Sequence, residues 1–264
     1  MQNAPAQTAI NIHLRRGVEI AAPFIVLAMI WQIAAWNLPP FLFPPLGAVF
    51  LRVLEILTTW AQFVHVLSTV ARILAGLAGA FVLGAAIAVL MTRSRAVDRF
   101  FAPILNFFQG IPALSWVVFA IIWFKGTEQR IFFIMLVTSL PAFAFQTLGA
   151  LRAMPKDLFE MVLSFRPTRT RMFTTMTLPS ILPELLTAWK VNLGNASRVV
   201  VVAELVGATG GVGYELLQQQ QLFDMAGALA WTLQLVFFVL LTQGVISAIE
   251  ARAFRYRAVS EHSL

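Results

Sequence analysis

Long apolar runs alternate with short polar or proline-bearing stretches from one end of the chain to the other, and six of them approach the length that crosses a bilayer. They lie at about Ile20–Trp36, Val64–Met91, Phe100–Phe124, Ile131–Leu151, Glu184–Leu205 and Ala226–Ile249. A transmembrane helix needs roughly 20 predominantly apolar residues to cross a hydrocarbon core of about 30 Å. The runs are too long and continuous for the ten-residue alternating strands of a membrane barrel. The pattern therefore predicts an all-α, polytopic membrane protein of about six spans.

The punctuation between runs is informative. Asn37-Leu38-Pro39-Pro40 closes the first run, because paired prolines forbid helix continuation. Between Phe41 and Trp60, Pro44-Pro45 is followed by Val49, Arg52, Val53 and Ile56 at helical spacing, which reads as an amphipathic surface helix rather than a span. Gly110-Ile111-Pro112 interrupts the third run, as either a simple kink or a break facing protein or a cavity. Gly76, Gly79 and Gly84 in the second run favour close helix packing.

One interruption is longer and more charged than the rest, Pro155 to Pro183. Leu158, Met161, Val162 and Phe165 fall at i, i+3, i+4 and i+7, with Lys156, Asp157, Glu160 and Ser164 off that stripe. Such a helix either lies on the membrane surface or contacts a partner in water.

The fifth run is the most polar. Thr187, Lys190, Gly194 and Arg198 share one helical face, and Glu204 follows near the far end. An ionisable side chain at the bilayer centre costs about 2.5 to 3.5 kcal/mol on insertion scales, so these cations are expected to face a cavity or a partner subunit. The alternative has Lys190 snorkelling to the interface and Arg198 alone lying deep.

Composition agrees with the pattern. The 264 residues are 59% hydrophobic and 12% charged, with mean hydropathy +0.80, well outside the range of soluble domains. The net charge of +7 does not signal nucleic acid, because Lys and Arg cluster beside apolar runs. Absent cysteines and three scattered histidines, His13, His65 and His262, argue against a metal site. Residues 1–19 are polar and the run that follows lacks a small-residue cleavage site, so an uncleaved first span is expected. Gly207 to Gly213 is glycine-rich, but no Lys-Ser or Lys-Thr follows as a nucleotide loop requires, so no ATP site is expected in this chain.

Basic residues set a topology. With both termini on one side, that side carries thirteen: Arg15, Arg16, Arg93, Arg95, Arg99, Arg152, Lys156, Arg166, Arg169, Arg171, Arg252, Arg255 and Arg257. The other carries three, Arg52, Lys125 and Arg130, while Arg72, Lys190 and Arg198 fall in spans. The positive-inside rule then places the 155–183 stretch and both termini in the cytoplasm.

Several motifs resemble those of a known family. Glu160 followed by Leu178-Pro179 and Leu182-Pro183 matches the hallmark cytoplasmic loop of ABC importer permeases, in the nitrate, sulfonate, taurine and bicarbonate branch. Leu38-Pro39-Pro40-Phe41-Leu42, His65 through Arg72 to Gly76, Pro103, Ile111-Pro112, Trp123-Phe124, Val202-Ala203-Glu204 and Gly211-Val212-Gly213-Tyr214 add to it, over residues 20 to 257. Met161 and Val162 replace the family's two alanines, and Arg166 replaces its glycine, so Pro167 is expected to supply the turn as the first residue of a second helix.

The resemblance implies a MetI-like type I importer permease in a bacterial inner membrane. A cytoplasmic segment (1–19), a permease domain (20–257) and a cytoplasmic tail (258–264) would follow one another. It implies a coupling helix for a cytoplasmic ABC ATPase dimer, using Asp157, Leu158, Glu160, Met161, Val162, Phe165 and Arg166. ATP and Mg would belong to that partner, with no cofactor in this chain. A periplasmic solute-binding protein and a second permease copy complete the implied assembly. Small anions are the implied cargo, passing Arg72, Thr187, Lys190, Gly194, Arg198 and Glu204. A self-powered secondary transporter is the rival, but it calls for pseudo-symmetric repeats, and none is found. A membrane enzyme would need a polar catalytic cluster that the chain lacks.

Overall fold

The computed structural model describes residues 4–154 and 156–253, and these are helical throughout with no strand among them. The helices are α1 (Ala4–Asn37), α2 (Leu46–Thr58), α3 (Trp60–Arg93), α4 (Arg95–Gly110), α5 (Ala113–Trp123) and α6 (Thr127–Arg152). They continue with α7 (Lys156–Ser164), α8 (Arg169–Met172), α9 (Leu178–Gly207), α10 (Val212–Gln221) and α11 (Met225–Ala253). A π-helical turn, Phe173–Thr177, joins α8 to α9.

Three helices, α3, α6 and α11, are long and apolar enough to cross a membrane, and the number rises to five if each of two bent pairs, α4 with α5 and α8–α9 with α10, counts as one span. The shorter apolar stretch Ala21–Asn37 of α1 supplies the remaining expected run. The third run is a true break, since α4 and α5 meet at 93° around Ile111 and Pro112. Proline forces this, because it has no N–H to continue the ladder and it drives the preceding residue out of the helical region.

The described residues divide into two compact units, one within Met1–Trp60 and Leu216–Leu233, the other within Ala61–Glu215 and Gln234–Leu264. In the first, Trp31 donates to the Pro44 carbonyl at 3.0 Å and packs on Phe43, folding the proline-rich connection back along α1. Arg52 bridges Glu55 and Asp224 at 2.8 and 2.9 Å.

In the second, α3, α5, α6 and α9 enclose one core with Ile73, Leu77, Val117, Ile134, Met135, Phe143, Leu193 and Val200 at its centre. In a bilayer, where lipid tails are as apolar as these side chains, their close packing rather than escape from water holds the helices together. Small residues set the spacing. A Cβ on Gly84 would stand 2.9 Å from the Leu140 carbonyl oxygen and 3.0 Å from the Ala144 amide, so α3 and α6 touch backbone to backbone there.

The long charged stretch differs from expectation in its second half. Leu178-Pro179 and Leu182-Pro183 lie inside α9 rather than in a loop. Pro179 occupies the first turn of α9, where a missing N–H is tolerated. Its ring would press on the carbonyl four residues back, and the π turn widens the helix there, with the Leu178 N–H reaching five residues back to Phe173.

Candidate coupling and transport sites

The predicted coupling segment is a helix, a tight turn and a second helix. Asp157, Glu160, Met161, Leu163 and Phe165 are exposed, Phe165 by 79%, and Val162 is half-buried. The side chain of Leu158 and the whole of Pro155 lie outside the described residues. Leu163, absent from the predicted stripe, is an additional outward apolar group.

The turn corrects the expectation for Pro167. Arg166 itself takes the left-handed conformation, φ +48°, in the position where the family's glycine was expected. Its N–H closes on the Leu163 carbonyl at 2.9 Å. Pro167 precedes rather than starts the next helix, whose N-cap is Thr168, the hydroxyl accepting from the Arg171 amide at 3.3 Å. Proline sets its own φ and steers the residue before it away from the right-handed helix, but neither restraint supplies the positive φ that the chain needs at Arg166.

The predicted path residues separate into three environments. On α9, Glu184, Thr187, Val191, Asn195 and Arg198 form an exposed stripe at intervals of 3, 4, 4 and 3 residues. Among the described residues Arg198 has no ion-pair partner. Lys190, at the edge of that stripe, pairs with Glu250 of α11 at 2.5 Å. Gly194 is half-buried with room around it, the nearest atom to an added Cβ being Gln243 Nε2 at 3.8 Å.

Arg72 and Glu204 stand apart in a cluster of their own. Glu204 is fully buried, and its carboxylate accepts from Arg72 at 2.7 Å, from the Thr69 hydroxyl at 2.9 Å and from the Gly213 amide at 2.9 Å. Arg72 also donates to the Gly210 carbonyl at 2.7 Å and to Glu128 at 3.0 Å. The glycine loop wraps around this carboxylate. Gly211 donates to His65 Nδ1 at 3.0 Å and Val212 to the Thr69 hydroxyl at 2.8 Å, so three successive amides end on side chains. His65 thus carries its proton on Nε2, which faces Glu215 at 3.4 Å.

Gly211 has φ +119°, and a Cβ there would collide with the Glu204 carboxylate and the Arg72 guanidinium. The motif is therefore a glycine loop built around a buried ion pair. Arg130 is a related device that sequence reading passed over as a topology marker. Its guanidinium donates to the carbonyls of Phe124, Lys125 and Gly207, binding the C-terminal ends of α5 and α9.

Against this geometry, residues 80–255 match the family model described as binding-protein-dependent transport system inner membrane component. The chain belongs to that family. It is a transmembrane subunit of an ABC importer, a transport component spanning the membrane.

The permease is 28% identical over 222 residues to the formylaminopyrimidine transport permease protein ThiX of Halalkalibacterium halodurans, covering 82% of this chain and 88% of that one. It is 27% identical over 207 residues to the taurine transport system permease protein TauC of Escherichia coli, covering 75% and 74%. To the putative aliphatic sulfonates transport permease protein SsuC of Bacillus subtilis it is 24% identical over 238 residues, covering 89% and 86%. Its backbone resembles the methionine ABC transporter MetNI in an inward-facing form, with TM-score 0.65 at 21% identity over 74% of this chain and 99% of that one. That likeness supports the type I, MetI-like fold.

Proposed function

We propose that the permease works as a homodimer in a bacterial inner membrane. A cytoplasmic ATPase dimer would drive it, a periplasmic binding protein would load it, and a small anion would be its cargo. The observation that carries the coupling role is α7 with the turn after it, which leave Met161 and Leu163 of the helix and Phe165 of the turn exposed beside Asp157 and Glu160. Exposed aromatic and Met anchors ringed by charge are the composition of a docking surface. The thirteen-to-three distribution of basic residues supports a cytoplasmic placement for it and for both termini.

Movement of docked ATPase subunits would reach α9 directly, since α8, the π turn and α9 form one continuous helical path from the turn at Arg166. Rigid-body rocking of the bundle would then alternate access. ATP and Mg would be held by the partner.

The anion reading rests on Arg198, a cation on an exposed, mostly polar stripe with no ion-pair partner among the described residues, while Lys190 is neutralised by Glu250. Two copies would bring two such arginines to a shared path. The taurine and sulfonate relatives favour this class. A neutral heterocycle is the second reading, favoured by the relative named for formylaminopyrimidine.

Native mass spectrometry of the complex purified from its own membrane tests the assembly. Two copies of this chain with two ATPase subunits are expected, and a lone permease or a single copy per complex would contradict it.

A further inference from the structure

Helix α2 has three faces rather than two. Val49, Val53 and Ile56 turn inward, with Val49 and Ile56 buried. Arg52 and Glu55 make a narrow polar edge. The remaining face presents Leu46, Phe50, Leu51, Leu54 and Leu57, exposed by 38%, 61%, 67%, 41% and 45%. At 100° per residue, the inward and outward apolar faces merge into one continuous surface interrupted only by the charged edge.

The level at which α2 starts identifies what covers that surface. The Leu46 amide donates to Gln32 Oε1 at 3.2 Å, and Trp31 holds the Pro44 carbonyl. Gln32 lies five residues before the end of α1 at Asn37, so α2 begins about 7 to 8 Å back along the α1 axis. The apolar stretch Ala21–Asn37 spans only about 25 Å, less than a full hydrocarbon core. The start of α2 therefore falls level with the apolar part of α1, where Ile30 and Ile33 are exposed.

We infer that α2 is an interfacial helix whose Leu46, Phe50, Leu54 and Leu57 face docks into the acyl chains of the leaflet at the Asn37 end, with Arg52 and Glu55 turned to the headgroups. The polar edge leaves no spare positive charge, because Arg52 is matched by two carboxylates, Glu55 and Asp224. Those contacts hold the Arg52 guanidinium above its ordinary pKa, so it stays charged. Binding is consequently apolar and has no dependence on anionic lipid.

The chain contains no cysteine, so single spin labels can be placed without background. Leu54→Cys, Phe50→Cys and Glu55→Cys proteins are labelled and reconstituted in phosphatidylcholine vesicles, with and without phosphatidylglycerol. Power saturation then compares oxygen, which partitions into hydrocarbon, with a water-soluble nickel chelate. Labels at positions 50 and 54 should show an oxygen-to-nickel ratio several-fold above that at 55, unchanged by phosphatidylglycerol. Nickel access at 50 and 54 equal to that at 55 would overturn the inference in favour of a water-facing helix. Shielding from both reagents would overturn it in favour of a protein partner, with dipolar broadening identifying a second copy. Two label sites keep the test decisive if one variant folds poorly.

Discussion

Arg72 donates to Glu204 across 2.7 Å, a cation that is 11% exposed holding a carboxylate with no exposure at all. The pair joins α3 to the end of α9, and the glycine loop after α9 is folded around it. Removing one partner of a buried pair costs about 3 to 5 kcal/mol, because a buried charge is stranded. Arg72→Met should therefore lower the melting temperature sharply, and Arg72→Met with Glu204→Leu should recover a large part of the loss. Thermal unfolding of the purified single and double variants measures the coupling.

Glycine positions give opposite signs. Gly211→Ala places a methyl group against the Glu204 carboxylate at a positive φ, and should destabilise by more than 1 kcal/mol. Gly47→Ala, in α2 with nothing within 4 Å of the added carbon, should stabilise by about 0.5 to 1 kcal/mol. Melting temperatures of the two variants should move in opposite directions.

The turn at Arg166 holds a side-chain-bearing residue at φ +48°. A left-handed residue other than glycine costs about 1 to 2 kcal/mol. Arg166→Gly should retain transport and resist proteolysis between α7 and α8 better than the parent, whereas the β-branched Arg166→Val should be cleaved faster. Limited proteolysis of the intact complex reads this directly.

The two cations of α9 should behave differently. Lys190→Ala strands Glu250 and should reduce thermal stability, while Arg198→Ala breaks no ion pair among the described residues and should leave it unchanged. If Arg198 serves the path, its variant should instead slow anion uptake at unchanged ATP hydrolysis. Uptake in proteoliposomes, with melting curves as the control, separates the two.

Helix content, the six apolar runs and the family were legible in the chain because long apolar periodicity and spaced Leu-Pro pairs survive without tertiary context. The details that failed to appear were those set by partners distant in sequence. Nothing local marks Arg72 and Glu204, 132 residues apart, as a pair rather than two path residues. Arg130 looked like a topology marker because, although Phe124 and Lys125 are near in sequence, its third acceptor, Gly207 at the end of α9, is 77 residues away and meets it only on folding. The role of Pro167 was misassigned because the turn is made by Arg166 at positive φ, and Thr168 rather than Pro167 caps the next helix. The Leu-Pro pairs were placed in the cytoplasmic loop by resemblance to the family motif, whereas the first turn of α9 accepts Pro179 and a π turn precedes it.

The coupling role of α7 is tested most directly by the Glu160→Ala, Phe165→Ala double variant, reconstituted with its ATPase and binding protein. Substrate uptake and ATP hydrolysis are measured in the same vesicles. Uptake should fall at least about tenfold, as expected from losing about 1.4 kcal/mol or more of docking energy, while ATP hydrolysis no longer responds to the loaded binding protein. Undiminished uptake with normal stimulation would contradict the account.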